Sequence, residues 1–182
     1  MERRLVERAM RGDEEAFDML VGRLGDSLYS VARRILRDAA LAQDATQRGL
    51  LAAWQHLPEL RDPDRFEAWA HRLLVNACHA EARREGRQRG NLRLLPHDQP
   101  MDPDPASGIA TRDQLDRAFR KLSVEHRTVV VLVHYLGLTP AEAANAMGTP
   151  AGTARSRLHY ALEHLRTALQ ADAPVNEQRG TA

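Results

Sequence analysis

Apolar residues recur at the spacing of amphipathic helices through the first ninety residues of the chain. The first helix is predicted to end at Gly12, and Asp13 is a favourable N-cap for the second. Asp26 and Asp38 are predicted to cap a third and a fourth helix, and Pro58 to end the fourth. The apolar stripes of these helices are Leu5, Val6, Ala9 and Met10; Ala16, Phe17, Leu20 and Val21; Leu28, Val31, Ala32 and Ile35; and Leu41, Ala45, Leu50, Ala53, Trp54 and Leu57.

A fifth helix is predicted to begin at Asp62-Pro63, because proline is favoured in the first turn of a helix. It should run into a basic segment and fade at Gly86 or Gly90. Its apolar positions are Phe66, Trp69, Ala70, Leu73, Leu74 and Ala77. Aromatic residues three positions apart on a helix are more often core residues than base-stacking residues, so core is the favoured interpretation of Phe66 and Trp69.

The helical pattern is interrupted over residues 94–110, which contain four prolines and are predicted to form a linker. It returns near Leu115. The valine-rich run 129–133 suits either a buried strand or a buried helix. A helix is predicted, because no partner strand is evident and Ser123 and Gly137 bracket the run as cap and stop.

These signals together predict an all-α chain with two small helical domains joined by a flexible linker. The predicted ranges are residues 1–92 for the first domain, 93–112 for the linker, 113–172 for the second domain and 173–182 for a disordered tail.

The most informative signals lie in the second domain. Thr139 and Glu142 form a capping box, with Pro140 at the first helical position, for a short helix to Met147. Gly148 breaks that helix, and Thr149-Pro150 is predicted to cap and start the next. Two helices with so tight a turn are typical of a helix-turn-helix. On capping alone, an ordinary helical hairpin is an equally good interpretation.

The second helix of this pair has a small, polar and basic beginning. At about 100° per residue, one face is an apolar stripe of Ala154, Leu158, Ala161, Leu162, Leu165 and Leu169. The opposite face carries Gly152, Ser156, His159 and Glu163, flanked by Thr153, Arg155, Arg157 and Tyr160. Such a beginning suits entry into the DNA major groove, where arginine binds guanine or phosphate.

Composition adds little beyond a charge asymmetry. Charged residues make up 28% of the chain and its net charge is +1, but residues 69–93 carry a local charge of +4 and residues 94–116 one of −4. The single cysteine, Cys78, excludes an intramolecular disulfide and is predicted to be a small core residue. No apolar run approaches the length of a membrane span, so a cytoplasmic protein without a membrane partner is expected.

Several segments resemble the extracytoplasmic-function sigma factors of bacterial RNA polymerase. Residues 137–144 (GLTPAEAA) and 147–158 (MGTPAGTARSRL) are similar to that family's region 4. Residues 12–20 (GDEEAFDML) resemble its opening helix. Residues 57–76, with FEAW at 66–69 followed by Arg72 and Asn76, resemble the stretch that recognises and melts promoters.

The resemblance implies a promoter-specificity subunit that binds core RNA polymerase and both double- and single-stranded promoter DNA. It implies minus-35 contacts by Thr153, Arg155, Ser156, Arg157 and His159. It implies minus-ten recognition and melting by Arg61, Arg65, Arg72, Asn76, Arg83 and Arg84. It implies core polymerase binding by Asp44, Gln47, Leu50 and Trp54. A regulatory anti-sigma protein is a further expected partner, since many such factors are held inactive by one.

One motif departs from the family pattern. In the polymerase-clamp motif, Asp44 and Gln47 are kept, but Arg48 replaces a carboxylate and Gly49 weakens the helix by about 1 kcal/mol relative to alanine. The departure puts the strength of clamp binding in question, or indicates a surface adapted to its own polymerase.

Two other classes of function compete with this interpretation. A stand-alone helix-turn-helix regulator would not need the segments around residues 12–20 and 44–54. An enzyme is disfavoured because no acid, base, nucleophile or metal-ligand pattern converges, and neither a cofactor nor a metal is predicted. The histidine spacings, such as His71 with His79, do not match a helical zinc site.

Overall fold

The chain folds into helices throughout the part that the structure, a computed structural model, describes: residues 3–91 and 109–171. The first range contains α1 (Arg3–Met10), α2 (Glu14–Leu36), α3 (Ala39–His56) and α4 (Phe66–Asn91), with 3-10 turns at Leu57–Glu59 and Pro63–Arg65. The second contains α5 (Ile109–Arg120), α6 (Val124–Val130), α7 (Pro140–Met147) and α8 (Ala151–Ala171). A π-helical turn, Val131–Tyr135, continues α6. The all-α prediction is confirmed for these residues.

Short polar side chains set several helix boundaries as predicted. The carboxylate of Asp13 accepts a hydrogen bond from the Ala16 amide at 2.9 Å, and that of Asp38 accepts one from the Leu41 amide at 2.9 Å. Gly12, with φ +89°, supplies the left-handed residue that ends the first helix. These caps satisfy amides that have no partner within their own helix.

The predicted cap at Asp26 is wrong, because α2 runs unbroken past it. Leu20, Leu24 and Leu28 continue one buried stripe at four-residue spacing on both sides of Asp26. Burial of that continuous face against the other helices outweighs the weak local tendency of Gly25 and the exposed Asp26 to break a helix.

Helix α4 begins later than predicted and ends one residue beyond the later of its two predicted limits. Asp62 caps the 3-10 turn at Pro63–Arg65, and α4 begins directly after it at Phe66. The helix continues through Gly86 and Gly90 to Asn91. The valine-rich run is helical, as predicted, with Val129 and Leu132 fully buried.

The described helices form two groups, one centred on α3 and one on α8, and the two groups pack against each other. In the first range, α2 and α4 pack with α3, and α1 packs on α2; in the second, α5, α6 and α7 all pack on α8. Helix α4 also contacts α7, and α2 contacts α6. The predicted linker and tail lie mostly outside the described residues, although residues 109–112 belong to α5. No described helix is both long and apolar enough to cross a membrane.

Candidate DNA and polymerase interfaces

The predicted helix-turn-helix is held by its capping residues. The Glu142 amide donates to the Thr139 hydroxyl at 3.2 Å, and the Thr139 amide donates to the Glu142 carboxylate at 2.8 Å. Hydrogen bonds from the Thr139 amide and hydroxyl hold the pKa of Glu142 below its usual value. Gly148, with φ +62°, ends α7 by donating its N–H to the carbonyls of Ala144 and Asn145. These contacts fix the entry of α8.

The turn differs from the prediction in one detail. The Thr149 hydroxyl is buried and makes no hydrogen bond within the described residues, so it does not cap α8. The helix begins at Ala151, where the Pro150 carbonyl accepts from the Ala154 amide at 3.1 Å. Proline at this point restricts the backbone in place of a side-chain cap.

Helix α8 separates its two faces as predicted. Ala154, Ala161 and Leu165 are buried against the rest of the second domain. Among the predicted minus-35 residues, Arg155, Ser156 and His159 are exposed, whereas Thr153 and Arg157 are half-buried. The Ser156 hydroxyl donates to the Thr153 carbonyl at 3.0 Å, a local bond that DNA would have to replace or share.

Arg157 lies apart from the exposed residues of this helix. Its charge acts on Glu125, whose pKa is raised by burial but lowered by more through hydrogen bonds and nearby positive charge. It also acts on His79 of α4. Arg157 therefore flanks the contact between the two domains, whereas Arg155 faces solvent.

The predicted minus-ten residues are exposed along α4 and the turn before it. At about 100° per residue, Arg72, Asn76 and Arg83 lie within about 40° of one another, while Arg84 is about 120° from Arg72. Arg61 and Arg65 precede this stripe, and the Arg65 guanidinium lies 3.7 Å from the Asp62 carboxylate. Arg72, Asn76 and Arg83 thus form one stripe of α4, Arg84 lies beside it, and Arg61 and Arg65 lie in the segment that leads into the helix.

The two aromatic residues at the start of α4 belong to the core. Phe66 is 3% exposed, and Trp69 is partly buried against the core with its ring centroid 6.0 Å from that of Phe66. The core interpretation is confirmed for Phe66. Trp69 is only half-buried.

The predicted polymerase-binding residues lie on one arc of α3. Asp44 and Gln47 are exposed, while Leu50 and Trp54 are half-buried. The Trp54 ring packs on Phe17 of α2, with centroids 4.9 Å apart. Leu50, Trp54 and Phe17 are part of an open apolar groove between α2 and α3, which Glu14 and Asp18 border with negative charge.

Sequence reasoning missed one prominent member of this surface. Leu51 is 54% exposed and lines the same groove. It lies seven residues after Asp44, hence on nearly the same side of the helix. That spacing, with an apolar residue on an otherwise polar face, was the available signal.

Arg48, the departure from the family motif, has a partner inside the chain. Its guanidinium forms an ion pair with the Glu81 carboxylate of α4, which is 2% exposed. The contact is an ion pair and not a hydrogen bond, because the contacting Glu81 oxygen accepts no hydrogen bond from the described residues. A carboxylate at position 48 would be repelled by the buried Glu81 carboxylate, whereas Arg48 neutralises it. The ion pair therefore gives a reason both for arginine at position 48 and for a buried acid at position 81.

Cys78 is fully buried on α4, as predicted. Burial raises its thiol pKa to about 12. A thiol with so little thiolate is unreactive, so Cys78 is a packing residue.

Two family descriptions match this chain: Sigma-70 region 2 over residues 20–88 and Sigma-70 region 4 over residues 112–165. The ECF RNA polymerase sigma factor SigL of Mycobacterium tuberculosis is 37% identical over 149 residues, covering 79% of this chain and 82% of the relative. The RNA polymerase sigma-H factor of Pseudomonas aeruginosa is 28% identical over 181 residues, covering 93% and 94%.

Solved structures agree in fold. The structure of CnrH in complex with the cytosolic domain of CnrY matches with a TM-score of 0.65 and 28% identity, over 94% of this chain and 98% of that one. The sigma factor RpoE of Bartonella quintana, in complex with the anti-sigma factor NepR, matches with a TM-score of 0.70 and 21% identity, over 86% and 98%. With both Sigma-70 regions matched in order and close relatives matched over most of their length, the chain belongs to the extracytoplasmic-function sigma factors of bacterial RNA polymerase.

Proposed function

We propose that this sigma factor directs core RNA polymerase to its promoters through three separate surfaces. One on α3 binds polymerase, one on α4 and its preceding turn opens the minus-ten element, and one on α8 reads the minus-35 element. The observation that carries the proposal is the capped helix-turn-helix whose second helix begins with the exposed residues Gly152, Arg155 and Ser156. The small residues Gly152 and Ser156 leave room there for entry into a major groove.

The minus-35 contacts are assigned to Thr153, Arg155, Ser156, Arg157 and His159. Arg155 is the best candidate for base readout, because it is exposed near the beginning of the helix. Ser156 and Thr153 are suited to phosphate contacts. Arg157 is half-buried and lies close enough to Glu125 and His79 to act on their charges, so it is less accessible to DNA than Arg155.

The minus-ten contacts are assigned to Arg61, Arg65, Arg72, Asn76, Arg83 and Arg84. Melting a duplex costs about 1.4 kcal/mol per stacked step. A basic stripe can recover that cost by holding the separated strand through its phosphates. Because Phe66 is buried, base stacking would fall to the half-buried Trp69.

The polymerase contacts are assigned to Asp44, Gln47, Leu50 and Trp54, with Leu51 added by its exposure. This surface combines acidic and amide groups with an apolar groove. A partner helix with basic and apolar residues would complement both. This family is not a class of enzymes, and we infer that the chain acts only by binding and by distorting DNA, in the cytoplasm where polymerase and promoters are found.

A regulatory protein is a further proposed partner. CnrH, 28% identical to this chain, was solved with the cytosolic domain of CnrY. A protein that binds this sigma factor would regulate it by competing with polymerase or DNA for the three surfaces.

Run-off transcription with purified core polymerase tests the proposal. Promoters are first selected from a random DNA library with the assembled holoenzyme, and core polymerase alone serves as the control. Specific transcripts that require the sigma factor are expected. A chain that binds DNA but leaves core polymerase silent would instead be a stand-alone regulator.

A further inference from the structure

Polar contacts between described residues join the first domain to the second, in addition to the packing of α4 on α7, and three of them involve Arg37, Arg34 and His79. The Arg37 guanidinium donates to the Asp116 carboxylate at 2.6 Å. The Arg34 guanidinium lies 3.7 Å above the centre of the Tyr135 ring. The third contact, between His79 Nε2 and the Thr128 hydroxyl, measures 3.0 Å. All three bridge α2 or α4 to α5, α6 or its π-helical extension.

Arg37 stands out because its backbone is unfavourable for arginine. Within the described residues it is the one non-glycine residue with a left-handed backbone, at φ 60° and ψ 18°, and it caps α2 by donating to the Arg33 carbonyl. This conformation costs roughly 1–2 kcal/mol for a residue with a side chain, and glycine is the usual choice. The capping role alone gives no reason for arginine.

The side chain of Arg37 supplies that reason. It is only 3% exposed, and its ion pair joins residues 79 positions apart in sequence. The Asp116 carboxylate also accepts a hydrogen bond from Arg120 at 2.8 Å, so its two oxygens bind two different guanidinium groups. A charge-assisted contact this sheltered from water is among the stronger polar interactions a protein makes.

The closed arrangement cannot serve both promoter elements at once. Elements centred near minus 35 and minus 10 are about 25 base pairs apart, or about 85 Å at 3.4 Å per step. A compact chain of this length has a radius of gyration of about 16 Å, and hence a diameter of about 40 Å. The 17 residues between Asn91 and Ile109 can extend to about 60 Å, so the covalent chain permits the domains to separate.

We propose that the Arg37–Asp116 ion pair is a latch that holds the two DNA-binding domains closed, and that the latch must break before one promoter can engage both. The inference rests on the proposed function for what opening achieves. Apparent affinity for a two-element promoter is lowered by the fraction of molecules that are closed. Weakening the latch therefore raises that affinity without altering any residue assigned to DNA.

Energy transfer between two dyes measures the opening directly. Cysteines at the exposed positions Arg23 of α2 and Thr167 of α8 would carry the dyes, while Cys78 is buried and unreactive. The full chain is compared with Arg37→Gly, which keeps the cap and removes the guanidinium, and with Asp116→Asn. Glu59→Gln, which weakens the exposed His56–Glu59 contact within one domain, is the matched control.

High transfer is expected in the wild type and in the control. Both latch variants should lower the ratio of closed to open molecules about tenfold or more. They should also raise the affinity of the holoenzyme for a two-element promoter, but not its affinity for a minus-35 duplex alone. Unchanged transfer in both variants, with normal helical content, would overturn the latch. Because transfer is read on the free chain, this result is separate from a failure of the wild type to support run-off transcription, which would reject the proposed function instead.

Discussion

Among single residues, Arg48 has the clearest consequence for stability. Its removal leaves the Glu81 carboxylate buried without a cation. Breaking a buried pair from one side costs about 3–5 kcal/mol, and because Arg48 is half exposed we expect Arg48→Ala to lose about 2–3 kcal/mol in urea unfolding. The added change Glu81→Gln should restore much of the loss. Arg23→Ala, an exposed control on α2, should change little, and an equal effect of Arg48→Ala and Arg23→Ala would exclude the pairing role.

Arg155 is the residue on which minus-35 recognition is predicted to depend most. Arg155→Ala should weaken binding to a minus-35 duplex by about 1–3 kcal/mol and relax the preference at one base pair. Arg166→Ala provides the control, because Arg166 is also exposed on α8 but lies three turns further on. Fluorescence anisotropy at fixed salt gives both values. Equal small losses for the two variants would make Arg155 a general electrostatic contributor instead of a base reader.

At the scale of elements, Gly49 shows that glycine within a helix can be favourable where two helices pack closely. A Cβ atom at Gly49 would lie 3.3 Å from the Leu74 Cα of α4, so glycine allows α3 and α4 to pack closely. Gly22, in the interior of α2, has no such neighbour within 4 Å. Gly22→Ala should therefore stabilise the chain by about 0.8–1 kcal/mol, the difference in helix propensity.

Gly49→Ala should fail to stabilise, because the gain in propensity is offset by displacing the α4 backbone. Thermal unfolding of the two variants side by side measures the difference. A comparable rise in melting temperature for both would mean that the α3–α4 contact yields without cost.

The elements also show what the sequence could predict. The caps at Asp13, Asp38 and Thr139 involve residues within one helical turn, so they can be predicted from the sequence alone. Asp26 gave a false boundary because burial of a stripe outweighs a local signal. The Arg48–Glu81 pair and the closeness of Gly49 to Leu74 depend on how α3 and α4 meet, which no spacing within either helix reveals.

Site residues divide in the same way. Exposure of Arg155 and the arc from Asp44 to Trp54 follow from helical periodicity. The half-burial of Arg157 does not, because it arises where the second domain lies against α4.

For the whole molecule, the buried His71 and the half-buried His79 predict how stability depends on pH. Burial lowers the pKa of His71 and, with further lowering by Arg83 and Arg157 against an opposing effect of Glu125, that of His79. Thr128 donates its hydroxyl proton to the Val124 carbonyl, so its oxygen accepts from His79 Nε2–H, and Nδ1 is the unprotonated nitrogen when His79 is neutral.

Proton linkage gives the direction in which the free energy of unfolding changes with pH. Above the unfolded-state pKa of about 6.5 neither state binds these protons, and the full stability is present. As the pH falls below that value the unfolded chain takes up protons first, so the free energy of unfolding decreases until the folded-state pKa values are passed. Urea unfolding should therefore give a lower free energy at pH 6.0 than at pH 7.5, with little change between pH 7.5 and 8.0 from this source.

Two variants separate the contributions of fold and domain contact. His71→Gln and His79→Gln should each flatten the dependence below pH 6.5, and glutamine at position 79 retains a donor for Thr128. Because His79 lies at the domain contact and His71 lies within the first domain, acid should also lower energy transfer between the domains in the wild type and in His71→Gln, but less in His79→Gln. Protonation of His79 would then favour opening, because separation of the domains rehydrates the charged imidazole and removes it from Arg157, and the burial effect is larger than the opposing attraction of Glu125. An acid response of energy transfer that persists fully in His79→Gln would assign it to another group.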